Sequence, residues 1–168
     1  MKPNLCVDIA GVKFKNPVIP ASGVYGFGKE YESLYPISRL GGISCKGTTL
    51  YRRDGNPPPR IAETPSGVLN SIGLQNPGVD YFIEHELSYL KDKDTTIIAN
   101  IAGSTVEETV EAVKRLENTI VDMIELNISC PNVKEGGVAF GVSCDGAAGI
   151  TRAVRKATNK PLMVKLSP

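Results

Sequence analysis

The densest chemistry in the sequence lies in Asn127-Ile128-Ser129-Cys130-Pro131-Asn132. Two amides, a hydroxyl and a thiol are gathered beside a proline that stiffens the turn. Amides present a donor and an acceptor in fixed geometry, which suits a planar heterocycle. A thiol has an ordinary pKa near ~8.5, and neighbouring positive charge draws it toward neutrality, so Cys130 could act as a base. Taken alone, the segment reads equally as a buried cysteine beside a capping asparagine. Lys46 and Lys165 close two otherwise apolar runs, Gly42-Ile43-Ser44-Cys45-Lys46 and Pro161-Leu162-Met163-Val164-Lys165. An ammonium rooted in an apolar layer needs a negative or electron-rich partner. Each lysine alone could be a snorkelling strand end, but two on one face point to a bound anion. In Asn70-Ser71-Ile72-Gly73-Leu74-Gln75-Asn76-Pro77-Gly78, Asn70 could bind a ligand and Gly73 would allow close backbone approach. The plain alternative is a turn before a helix. Ala21-Ser22-Gly23 is a weaker signal of the same kind. His85, the only histidine, and Cys6, Cys45 and Cys144 read as surface or packing residues.

These residues need elements to hold them. Val7–Ile9 and Val12–Phe14 flank Ala10-Gly11 as a small hairpin. Short apolar runs at 17–21, 42–46, 96–100, 122–127 and 161–165 read as buried strands. A modest helix is expected over 28–38, and a second where Val79, Phe82, Ile83, Leu87 and Leu90 recur at helical spacing. Ser104 with Glu107 resembles a capping box ahead of Val106, Val110 and Val113. Asp145 could cap a helix carrying Ile150, Val154 and Ala157. Residues 47–78 read as one long irregular stretch, and 128–145 as a polar loop. Strand, loop, helix and strand in repetition imply parallel pairing, in a doubly wound sheet or a (β/α)8 barrel. Ser22, Lys46, Asn100, Asn127 and Lys165 each fall at or just past a strand's C-terminal end, where barrel active sites are built. Gly23-Val24-Tyr25-Gly26-Phe27-Gly28 does not match the dinucleotide fingerprint of the doubly wound fold. The expected class is therefore α/β, a TIM barrel. Residues 1–168 are expected to be the N-terminal portion of one domain, with the hairpin and about the first five strands.

Hydrophobic residues make up 41% and charged residues 22%, with a net charge of +1, which excludes a strongly basic nucleic-acid surface. No signal peptide is read at the N-terminus, and no apolar run reaches the ~20 residues that span a bilayer. The four cysteines form no CxxC pair, so no metal site is expected and a reducing, cytoplasmic setting fits.

Taken in order, Asn16-Pro17…Pro20-Ala21-Ser22-Gly23, the run ending at Lys46, Asn70 to Gly78, Ile98-Ala99-Asn100, Asn127 to Asn132 and Val164-Lys165-Leu166-Ser167-Pro168 resemble class 1 dihydroorotate dehydrogenases. Cysteine at 130 is the mark of class 1, since the membrane-associated class 2 has serine there. Gly136-Gly137-Val138-Ala139-Phe140-Gly141 resembles subclass B, the NAD-linked catalytic subunits. The resemblance implies oxidation of (S)-dihydroorotate to orotate in pyrimidine synthesis, with FMN as cofactor. It implies Cys130 as the base at C5 and hydride transfer from C6 to the flavin, with Lys46 between flavin and substrate. It implies Asn70, Asn127, Asn132 and the stretch Ser71, Ile72, Gly73 and Leu74 as substrate contacts. Ala21, Ser22, Gly23, Lys46, Gly47, Asn100, Asn127 and Lys165 would hold FMN. A homodimer is implied, joined to a partner subunit carrying FAD and an iron–sulfur cluster. The family barrel continues beyond residue 168, and the loops gripping the FMN phosphate are expected there. A fumarate-linked class 1A enzyme, a dihydropyrimidine-type FMN barrel and an inactive half-barrel or interaction module are the alternatives.

Overall fold

The computed structural model of the chain describes residues 3–129 and 138–167. Its first element is the expected hairpin: β1 (Val7–Ile9) pairs antiparallel with β2 (Val12–Phe14). Ala10 at φ 53° and Gly11 at φ 82° form the turn, the left-handed pair that matches strand twist in a two-residue hairpin.

The run at 17–21 forms no strand. It lies beside β3 (Gly42–Ser44) and is tied to that neighbourhood by Gly41 N donating to Val18 O at 3.0 Å. Pro17 and Pro20 remove two of the donors a ladder would need. The helix expected over 28–38 is likewise broken. Only α1 (Lys29–Glu32) and a 3₁₀ turn at Ile37–Arg39 form, because Pro36 cannot continue a helix and pushes Tyr35 toward extended backbone.

The 47–78 stretch is not wholly irregular. It contains a second hairpin, β4 (Ile61–Thr64) and β5 (Gly67–Asn70), exposed along its whole length. Next, α2 (Val79–Tyr81) runs through a π-helical turn at Phe82–Glu86 into α3 (Leu87–Leu90). After β6 (Thr96–Ile101) comes α4 (Val106–Leu116), capped by Thr105, whose Oγ1 accepts from Glu108 N at 3.1 Å. Ser104-Thr105-Val106-Glu107-Glu108 admits two capping registers. The one adopted, a residue later than expected, buries Thr109, Ala112, Val113 and Leu116. β7 (Met123–Asn127), the short α5 (Val138–Gly141), α6 (Cys144–Ala157) and β8 (Leu162–Lys165) complete the order. Ser143, not Asp145, caps α6, its Oγ accepting from Gly146 N. Asp145 instead sits in the first turn, where its charge suits the helix dipole.

β3, β6, β7 and β8 form one parallel sheet in that order. Side chains alternate between its faces. Ile43, Cys45, Ile97, Ala99, Ile101, Ile124 and Leu126 pack with Phe82, Leu87, Leu90, Val113, Leu116, Ile150 and Val154 in the main core. Each fully buried aliphatic or aromatic side chain there contributes about 1.5–3 kcal/mol. The opposite face is layered. At the N-terminal end, Ile98 and Met123 meet Phe14 of the hairpin in a small apolar floor. One side-chain step further along come Ser44, Asn100 and Glu125, and one step beyond those come Lys46, Asn127 and Lys165. Among the described residues, no helix is long and apolar enough to cross a membrane.

Candidate active site

The middle layer centres on Glu125, which is only 5% exposed. Its Oε1 accepts from Ser22 Oγ at 3.0 Å and from Asn100 Nδ2, and its Oε2 accepts from Ser44 Oγ at 3.0 Å. Ser22 uses its single hydrogen on Glu125. Its oxygen lone pairs face Asn100 Nδ2 at 3.1 Å and Lys165 Nζ at 3.0 Å. One donor and two acceptor positions are all that a hydroxyl owns. Lys165 Nζ also stands 4.0 Å from Glu125 Oε1. Asn100 turns its Oδ1 to Asn127 Nδ2 at 3.2 Å, and Asn127 Oδ1 accepts from Ser129 N and Oγ at 3.1 and 2.9 Å. A continuous chain of hydrogen bonds thus runs from Ser44 to Ser129 and fixes which way both amides point.

This network walls a cleft of about 220 Å³ at the C-terminal ends of the strands. From the expected FMN contacts, Ser22, Gly23, Lys46, Gly47, Asn100, Asn127 and Lys165 line it; Ala21 lies just outside, its carbonyl accepting from Val24 N in a turn. Gly47 is required by closeness: a Cβ there would stand 2.9 Å from Asn100 Oδ1 and 3.1 Å from Leu74 Cδ1. From the expected substrate contacts, Asn70, Ile72 and Leu74 also face the cleft. Leu74 holds φ 56°, a conformation that costs a non-glycine residue about 1–3 kcal/mol and clusters at functional sites. Ser71 and Gly73 are engaged within their own loop. Asn56 Nδ2 donates to Ser71 O and Oγ at 3.0 and 2.9 Å, and a Cβ on Gly73 would meet Asn56 N at 2.6 Å. Asn76 organises the loop by accepting from Thr49 N and Gly78 N and donating to Leu74 O. Lys46 also borders a neighbouring cleft with Arg52, Arg53 and Asn76. Cys130 and Asn132 lie outside the described residues.

Glu125 and Ser44 do not stand out in the sequence, whereas Ser129 is the hydroxyl of the Asn127–Asn132 segment. Strand periodicity carries the signal for the first: Glu125 lies two residues before Asn127 and so shares its face. Burial pushes the Cys45 thiol up, so it stays protonated and packs as a small apolar group. His85 is exposed and packs against Tyr81 with ring centroids 4.2 Å apart and the ring planes tilted by 44°. Among the described residues, no three His, Cys, Asp or Glu side chains converge as a metal site.

The donor set fits a flat, nitrogen-rich ring such as the flavin of FMN. It offers an ammonium, oriented amides, a hydroxyl and a glycine where a ring can approach the backbone. A parallel sheet with such a network at its C-terminal strand ends has the arrangement in which β/α barrels build their ligand sites.

The dihydroorotate dehydrogenase family model matches residues 4–168, and the chain belongs to that family. It is 59% identical over 162 residues to the dihydroorotate dehydrogenase B (NAD(+)) catalytic subunit of Petrotoga mobilis, covering 96% of this chain and 54% of that protein. The protein of the same name from Anoxybacillus flavithermus is 57% identical over 165 residues, covering 98% and 53%. The chain therefore spans about half the length of the curated relatives it matches. Among solved structures, a dihydroorotate dehydrogenase from Eimeria tenella in complex with ferulenol superposes with TM-score 0.79 at 23% identity. It covers 98% of this chain and 52% of that one, and shows the shared barrel fold.

Proposed function

We propose that the protein oxidises (S)-dihydroorotate to orotate on bound FMN, in the cytoplasm, as the catalytic subunit of an NAD-linked dihydroorotate dehydrogenase. The names of its relatives support the reaction and the existence of a partner subunit. The observation that carries the reading is the oriented Ser22–Asn100–Glu125–Lys165 network beside Asn127 at the strand ends.

FMN, when bound, supplies the two-electron acceptor. Ser22, Gly47, Asn100 and Lys165 hold its ring, with Lys165 placing positive charge where reduction leaves negative charge. Lys46, Asn70, Asn127 and Asn132 orient the substrate ring and its carboxylate, aided by the backbone of 71–74. Cys130 takes the C5 proton, a service worth ~10²–10⁴-fold in rate. A partner subunit carrying FAD and an iron–sulfur cluster, joined to a homodimer of catalytic subunits, would supply the onward electron acceptor.

Anaerobic mixing of the flavin-loaded full-length protein with dihydroorotate tests this: the visible flavin band should bleach. Cys130→Ala should slow bleaching by ~10²–10⁴-fold while FMN stays bound. Bleaching by dihydrouracil but not dihydroorotate would overturn the substrate assignment. Turnover with fumarate but not NAD, partner present, would overturn the NAD linkage.

A further inference from the structure

Glu125 lines no part of the cleft, yet three of its four polar neighbours, Ser22, Asn100 and Lys165, do. Its fourth neighbour, Ser44, is 2% exposed and sits behind the wall. A carboxylate this deep is costly unless paired and hydrogen-bonded. Stability alone does not call for it, because the layer immediately below is filled by Ile98 and Met123, and apolar replacements of buried ion pairs are often neutral or better. What an apolar residue could not supply is an acceptor for the Ser22 hydroxyl and the Asn100 amide, and a negative charge behind Lys165.

We propose that Glu125 is a positioning residue of the flavin site: through Ser22, Asn100 and Lys165 it orients the wall and sets the charge that the ring meets. The inference rests on reading those three residues as FMN contacts. Two effects follow. By taking the Ser22 hydrogen, Glu125 turns the serine lone pairs to Asn100 and Lys165 and holds the ammonium at the cleft. By standing 4.0 Å behind that ammonium, it offsets part of the positive field that would otherwise favour the reduced, anionic ring. Glu125 therefore keeps the flavin potential low enough for electrons to move on.

The test is the two-electron midpoint potential and the FMN affinity of full-length wild type, Glu125→Gln and Glu125→Asp. Loss of a unit charge directly behind the residues that meet the ring, at an effective dielectric of ~20, changes an equilibrium on the order of tenfold. For a two-electron couple, that tenfold change reads as about 30 mV. E125Q should raise the potential by about this amount, while E125D, which keeps the charge on a shorter arm, should hold the potential near wild type and bind FMN more weakly. A merely structural role would move E125Q and E125D together. An unchanged or lowered potential in E125Q overturns the proposal. Wild type that takes up no FMN overturns the flavin reading and this inference with it. Should E125Q fail to fold, Ser44→Ala decides. It removes the bond to Oε2 from behind the wall, so FMN should bind severalfold more weakly at unchanged potential, and unaltered affinity would overturn the proposal.

Discussion

At the N-terminal end of the parallel sheet, β6 and β7 contribute Ile98 and Met123 to an apolar floor sealed by Phe14. One side-chain step further along the same strands, roughly 7 Å away, Asn100 and Glu125 meet in a polar network with no apolar member. Both layers are buried, and both are made by the same backbone. The floor gains from removing surface from water and tolerates any geometry that packs. The network gains only when each donor finds its acceptor, so it fixes orientation as well as position. The difference separates what holds this barrel sheet together from what makes it able to hold a ligand.

The comparison can be broken at either layer. The largest effect is expected from Phe14→Ala, because Phe14 is 1% exposed at the centre of the floor. A loss of about 3–5 kcal/mol should appear in denaturant unfolding, with the cleft residues of the folded fraction unaffected. Next, Gly47→Ala forces a Cβ toward Asn100 Oδ1 and Leu74 Cδ1. Overpacking of about 1–3 kcal/mol is expected, together with weaker FMN retention in equilibrium dialysis, so this site should show both losses at once. Lys165→Ala should invert the signature of Phe14→Ala. Its ammonium is part-exposed but faces the buried Glu125 carboxylate, which keeps its hydrogen bonds from Ser22, Ser44 and Asn100, so its removal should cost about 1–2 kcal/mol, well below the loss at Phe14. Flavin content after size exclusion should fall all the same. If Lys165→Ala unfolds the protein while keeping its flavin, the division between the layers is wrong. The smallest effect belongs to Lys15→Ala, which breaks an exposed pair with Asp94 at 2.9 Å. Such pairs contribute about 0–1 kcal/mol, and thermal melts at raised salt should erase even that.

The layered face was partly legible in the sequence. Asn100, Asn127, Lys46 and Lys165 stand out because each ends an apolar run, and the apolar runs themselves announce strands. Glu125 does not stand out, since it lies inside a strand and its meaning depends on which neighbours arrive from β3, β6 and β8. Ser44 was hidden for the same reason. Val18 and Ile19 suggest a strand at 17–21, but the prolines of that run leave too few donors for pairing. The β4–β5 hairpin is hard to read from the sequence because its large apolar side chains, Ile61, Val68 and Leu69, are all exposed, so no burial pattern marks it. The capping register before α4 was ambiguous in the letters themselves, with two hydroxyls and two glutamates at equivalent spacing. What the chain states locally is readable, and what depends on partners distant in sequence is not.

The strict alternation along β7 has a consequence for how this surface can change over generations. Met123, Glu125 and Asn127 form one message, Ile124 and Leu126 another, interleaved on a single ribbon. Substitutions at Glu125 and Asn127 can rewrite ligand preference while leaving Ile124 and Leu126, and hence the main core, as they were. Insertion of one residue is a different kind of event, because it swaps the two messages over their remaining length, sending Leu126 to the cleft and Asn127 to the core. Adaptation at this site is thus open to point substitution and closed to single-residue indels, a reading-frame constraint imposed by the pleat and not by the genetic code.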